Sequence, residues 1–203
     1  MVTIAGNRAL ISRRWETAGL AFCGALALLV GILFLAAPQI AGPRELMDWE
    51  RDSLKDLNAD DQAMFSALTT SAVEIGWINY DSLTWPSPEK LDQYQMPPFA
   101  KDAFWQTHGS VEWELIAAGT VNDGGTTVYF GHNGQHENQS AYLLVFQHRH
   151  IGGGFTTQAD VWIHQQNNPP PPTAFLPDGL VQAGWKRVVS YSGAVEAQRI
   201  RGN

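Results

Sequence analysis

Between Thr17 and Pro43 the chain carries no charged residue, and that feature constrains everything after it. The centre of the stretch, Ala18-Gly-Leu-Ala-Phe-Cys-Gly-Ala-Leu-Ala-Leu-Leu-Val-Gly-Ile-Leu-Phe-Leu-Ala-Ala37, is apolar throughout. Such a run, at 1.5 Å per residue, is roughly 30 Å long, the thickness of a bilayer's hydrocarbon core. A helix on a soluble protein needs a polar face, and this segment has none. In lipid a lone segment pairs its own N–H and C=O groups only as a helix. The sequence therefore predicts a transmembrane helix over 17–43, with the lipid bilayer as its partner.

The flanks set its orientation. Arg8, Arg13 and Arg14 face one acid, Glu16, on the N-terminal side, whereas Arg44, Glu45, Asp48, Glu50, Arg51 and Asp52 form a mixed set beyond the span. Arginine excess keeps residues 1–16 in the cytoplasm as a short stub, and Trp15 and Trp49 suit the two headgroup regions. A cleaved signal peptide is the rival reading, since Leu35-Ala36-Ala37 and Gln39-Ile40-Ala41 resemble cleavage sites. The apolar run exceeds the 7–15 residues of an ordinary signal core, which favours an anchor. Residues 44–203 are then an outer domain.

That domain is acidic. The chain has 13 basic and 20 acidic residues, of which the stub takes three and one, so 44–203 carries a net charge of −9. Such a balance disfavours nucleic acid and anionic lipid as partners of the outer domain. Cys23 is the only cysteine and lies within the span. The outer domain has no disulfide and must be held by its core, which a domain of its size can supply.

Along the outer domain the pattern changes from helix to strand. Met47, Leu54 and Leu57 recur at helical spacing, and a second helix is expected over 60–79, capped by Asn58 or Asp60, with Met64, Leu68, Ala72 and Ile75 on one face. Residues 81–109 hold Pro86, Pro88, Pro97 and Pro98 and read as an ordered wrap with a short helix near 99–106. Strands follow at Val111–Ala118, Thr126–Gly131, Ala141–Phe146, Ala159–His164 and Lys186–Ser192. Turns are expected at Asn122–Gly125 and around Gly152–Gly154. Asn167-Asn-Pro-Pro-Pro-Pro172 makes a stiff connector, and Asp178–Ala183 suits one or two helical turns. Helix first, then short strands, implies an α+β fold in which a helix packs on a small antiparallel β-sheet.

Chemistry-bearing residues are sparse. His132 and His136 bracket a turn, His148 and His150 share a strand face, and His164 ends the next strand. A hairpin pairing those strands could bring His164 near His148 or His150. Converging imidazoles would suit zinc, copper or nickel, with Glu137 or Asp160 as an oxygen ligand; solvated or backbone-bonded histidines are the ordinary alternative. Glu112 and Glu114 flank Trp113 and read as a solvated strand edge. With Cys23 in lipid and no nucleophile elbow or phosphate loop, no enzymatic activity and no resident cofactor are expected. The tryptophans of the outer domain read as packing residues.

Met96-Pro-Pro-Phe-Ala100 with Asp102, Tyr129-Phe-Gly131, Tyr142-Leu-Leu-Val145, Ala159-Asp-Val-Trp-Ile163 and Leu180-Val-Gln-Ala-Gly-Trp-Lys-Arg-Val-Val189 occur in that order. With the N-terminal span, this series resembles an uncharacterised family of single-span bacterial envelope proteins encoded beside metal-uptake ABC transporters, including the cluster for iron release from pyoverdine-type siderophores. The resemblance covers most of the chain and is most specific in its last run. It implies a bacterial inner-membrane protein with a periplasmic domain and an accessory role in metal or metal-siderophore uptake. It assigns no catalytic residue and does not assign the histidines. Some relatives have histidine-rich tails, whereas this chain ends Arg199-Ile-Arg-Gly-Asn203. The expected function is a membrane-anchored accessory or scaffold protein with inner-membrane or periplasmic partners. The alternatives are a periplasmic metal-binding or metal-transfer protein and a pseudopilin-like assembly subunit. The last lacks the glycine-phenylalanine processing pair, with its nearby glutamate, at the opening of the hydrophobic run.

Overall fold

A computed structural model describes residues 46–119, 125–151 and 154–190, and for 148–157 the backbone alone. All belong to the second of the chain's two units, Pro43–Asn203. The expected span over 17–43 lies outside the described residues, and among those described no helix is long and apolar enough to cross a membrane. Most of the 122–125 turn, and part of the 152–154 turn, also fall outside them.

Six strands make one sheet: β1 (Glu50–Asp52), β2 (Glu112–Ala117), β3 (Thr126–His132), β4 (Ala141–Ile151), β5 (Gly154–His164) and β6 (Lys186–Val189), in the order β1-β6-β5-β4-β3-β2. The helices are α1 (Ala59–Ser82), α2 (Pro88–Gln93), α3 (Ala103–Thr107) and α4 (Pro177–Gln182). The fold is α+β, as expected, but the sheet is mixed, because β1 runs parallel to β6. The helical spacing read over 47–57 is overturned. That stretch forms β1 and a turn in which the Asp52 carboxylate accepts from the Leu54 and Lys55 amides at 2.8 and 3.1 Å. A few apolar residues at helical spacing are a weak preference, and long-range pairing prevails over it.

The β1–β6 pairing is fastened by charge. Glu50, almost fully buried, accepts from the Arg187 guanidinium and from the Met47 amide. The guanidinium also stands 3.6 Å from Asp160 and lies over the ring of Trp49, which stacks on Trp162 at 5.7 Å. One side chain thus ties together β1, β5 and β6.

The central strands are apolar on both faces, so the sheet is covered twice. One face, with Tyr129, Tyr142, Leu144, Phe146, Val161 and Val188, packs on α1, on Leu91, Met96 and Phe99 of the wrap and on Val111 just before β2. The other, with Val128, Phe130, Leu143, Val145 and Trp162, packs on Leu180 of α4 and on Trp185. The wrap is pinned to the sheet by the buried Tyr129 OH, which donates to the Pro86 carbonyl at 2.8 Å, and to the chain just past β2 by Trp85 Nε1, which donates to the Gly119 carbonyl at 2.9 Å. Within it, α2 follows a Ser87 cap with proline in the first turn, a start signal present in the sequence. The helix expected near 99–106 begins only at Ala103, where Asp102 caps it.

The N-terminus of α1 is anchored to the sheet by a buried carboxylate. Asn58 caps the helix by accepting from the Asp61 amide at 2.8 Å. Asp61, turned inward, accepts from Tyr142 OH at 2.7 Å, Ser140 Oγ at 3.0 Å and Asn58 Nδ2 at 2.9 Å. Burial nevertheless outweighs these donors and holds its pKa above 3.8.

Two outcomes are expected. Arg187→Met removes the guanidinium that joins the buried Glu50 of β1 to Asp160 of β5 and costs about 3 kcal/mol in denaturant unfolding. Asp61→Asn changes the pH dependence. Below pH 3.8 the wild-type carboxyl is neutral whether folded or unfolded; as pH climbs through its raised native pKa, ionisation opposes folding. Wild-type stability minus that of Asp61→Asn therefore falls with rising pH across that interval and is flat on either side.

Candidate functional site

Two apolar stripes run along α1. Met64, Leu68, Ala72 and Ile75 face the sheet and are buried, as their spacing predicts. A second line, Phe65, Thr69, Val73, Gly76 and Tyr80, follows the same three-to-four spacing, with Trp77 beside it. Most of this line faces outward: Val73 is 61%, Trp77 62% and Tyr80 69% exposed. Trp77 and Tyr80 meet edge to face with centroids 6.0 Å apart.

Beside this stripe a groove of about 900 Å³ opens between α1 and the sheet. Leu144 and Phe146 of β4, Ala159 and Val161 of β5 and Val188 of β6 line it opposite the helix. The wrap contributes to the core over the β2–β3 part of the sheet, whereas the groove lies toward β5 and β6. Its lining is mixed: the apolar and aromatic side chains are accompanied by Thr69, Gln158, Ser190 and the neighbouring Asp160 and Arg187, so it combines an apolar contact surface with a polar margin.

The histidines separate into unlike environments. His132, at the end of β3, stacks on Phe130 at 4.6 Å and is buried. Glu114 Oε1 stands 3.3 Å from its Nε2, within ion-pair range but without hydrogen-bond alignment. His136 Nδ1 lies 2.9 Å from the Asp60 carboxylate, tying the 133–139 loop to the first turn of α1. His164 pairs in register with Ala141 and packs near Trp185 at 5.3 Å.

In the β4–β5 hairpin His148 lies opposite Thr157 and His150 opposite Phe155. They sit at the turn end and His164 at the open end, more than about 20 Å along the ladder. The expected approach of His164 to His148 or His150 is therefore overturned: in an antiparallel hairpin, residues drawn close across the ladder are equidistant from the turn. The side chains of His148 and His150 lie outside the described residues. Of the suggested oxygen ligands, Glu137 is exposed and Asp160 faces Arg187. Among the described residues no three His, Cys, Asp or Glu side chains converge as a metal centre would require. Glu112 and Glu114 are exposed on either side of the half-buried Trp113, the solvated edge their alternation implies.

The outer stripe of α1 went unread, although Phe65, Val73, Trp77 and Tyr80 are too many large apolar residues for a helix with a single buried face; the reading of Trp77 as a packing residue is overturned by its exposure. The buried Asp61 and the Glu50–Arg187 pair leave no such signal, since each partner comes from a distant part of the chain. The two stripes predict opposite responses to truncation. Ile75→Ala costs about 3 kcal/mol, whereas Val73→Ala changes stability by less than about 0.5 kcal/mol, both read by chemical denaturation.

Comparison with known proteins adds the family and no activity. No curated protein and no solved structure matches the chain. Residues 51–193, with α1 and every strand but the first residue of β1, match a family of unknown function (DUF6162). The chain belongs to that family, and the matched residues include α1 and those that line the groove.

Proposed function

We propose that the protein is a membrane-anchored periplasmic accessory module that holds partner proteins of a metal or metal-siderophore uptake system at the bacterial inner membrane. Residues 17–43 provide the anchor, and the N-terminal stub lies in the cytoplasm. The observation that carries this reading is the outward stripe of α1. A monomer that had to do no more than stay folded would present polar residues there. Instead it keeps Val73, Trp77 and Tyr80 in water beside an open groove. Aromatic residues on an otherwise charged surface are the usual currency of protein contacts. The resemblance to proteins encoded beside metal-uptake transporters supplies the system, and the uncharged N-terminal run supplies the location.

The test joins location to role. A phosphatase reporter fused after residue 203 should be active in the periplasm, with the chain retained in membranes after alkaline carbonate washing. Loss of the protein should lower cellular uptake of siderophore-bound iron, and Trp77→Ser with Tyr80→Ser should reproduce that loss while leaving the amount of folded protein unchanged. A cytosolic reporter, or undiminished uptake without the protein, sinks the proposal.

A further inference from the structure

β2 is the last strand of the sheet, with β3 on one side and no strand on the other. In an antiparallel pair, alternate residues point their N–H and C=O groups away from the partner. Among the described residues, no backbone hydrogen bond outside the ladders involves Glu112–Ala117. The chain is held at both ends of this edge, where Trp105 Nε1 donates to the Val111 carbonyl and Trp85 Nε1 to that of Gly119. The register shifts between Leu115 and Ala117, so the regular edge runs over residues 112–115. An edge of this kind is a template for a further strand.

Edge charges often serve to repel other strands. Glu112 and Glu114, both exposed, would do that to a second copy, since β2 set antiparallel on β2 brings four carboxylates together. They do not account for the cavity of about 270 Å³ beside the strand. Its walls are aromatic: Trp113 comes from β2, Phe99 and Trp105 from the wrap, and the rings of Phe99 and Trp113 stand 4.9 Å apart at 52°. The indole of Trp113 has its place because Gly131 lies opposite it in β3, where a Cβ would run into the ring.

The charged groups of the cavity are Glu89, Asp92 and Glu112 against Lys101 alone. Asp92 accepts from the Lys101 amide at 2.9 Å and Glu112 from Asn133 Nδ2 at 3.0 Å, which leaves each carboxylate with further acceptor capacity. Aromatic faces with an excess of carboxylate around them suit a guanidinium or ammonium carried on an apolar stem.

We infer that β2 receives an extended basic segment of another polypeptide as a seventh strand of the sheet. An Arg or Lys side chain of that segment enters the cavity at Trp113, and its basic neighbours stand opposite Glu112 and Glu114. Main-chain pairing supplies the affinity, and the cavity selects the side chain. This contact is separate from the outward stripe of α1 and does not depend on it.

The full chain in detergent micelles tests this with the capped, fluorescein-labelled peptide Val-Lys-Arg-Lys-Val-Thr as probe, followed by anisotropy and by hydrogen exchange of the β2 amides. Binding with a Kd below about 100 µM is expected, with added protection confined to alternate amides of 112–115. N-methylation of the peptide at one alternate set of residues should abolish binding and at the other set should not, because only one set faces β2. Replacing the peptide's Arg by Ala should weaken binding about tenfold, as should Glu112→Lys with Glu114→Lys in a protein of unchanged melting midpoint. The inference is overturned by equal binding of Val-Glu-Gln-Glu-Val-Thr, or by indifference to the methylated set, to the Arg or to the charge reversals. Amides of 112–115 already protected before the peptide is added, or no binding below about 100 µM, overturn it equally.

Discussion

A sheet whose middle strands are apolar on both sides cannot leave either side in water, and most of this architecture follows from that requirement. Leu143 and Val145 point one way from β4, Leu144 and Phe146 the other, and all four are buried. The chain meets the demand with unlike covers. On one face lie a long helix and an aromatic-rich wrap; on the other lie a short helix and the residues leading into β6. Burying large side chains on both sides supplies the stabilisation that a disulfide-free domain needs.

Covers must also be positioned, and here the domain spends its buried polar groups. Asp61 receives hydrogen bonds from Tyr142 and Ser140 at the helix–sheet junction, and Arg187 draws β1 onto β6 through Glu50. Each pair joins residues 79 or more positions apart in the chain. Neither is a cheap way to gain stability, since desolvating a carboxylate opposes folding. Their evident effect is placement: α1 is held at its N-terminus and β1 is held in parallel register, leaving the region between α1 and the β5–β6 side as a groove.

The proposed role in holding partners of an uptake system draws on that geometry rather than on reactive groups. The histidines illustrate the contrast. His132 stacks on Phe130, His136 faces Asp60, and His164 packs near Trp185, each in a separate setting. Proximity in sequence suggested a cluster, but the hairpin register carries His164 away from His148 and His150. The surface of α1 offers the more coherent feature, because its exposed apolar residues lie along one helix.

Local and periodic features were readable from the residues alone. The uncharged run at 17–43, the Asn58 cap with Met64, Leu68, Ala72 and Ile75 beneath it, and the alternation of Glu112, Trp113 and Glu114 all depend on neighbours a few positions away. So did the α+β order of residues 44–203. The parallel pairing of β1, the burial of Asp61 and Glu50, the separation of the histidines and the groove itself were decided only by the tertiary structure. They depend on which distant segments meet, and in what register. Burial and long-range pairing act on surfaces that exist only once the chain has folded, so a residue's own neighbours in sequence carry little record of them.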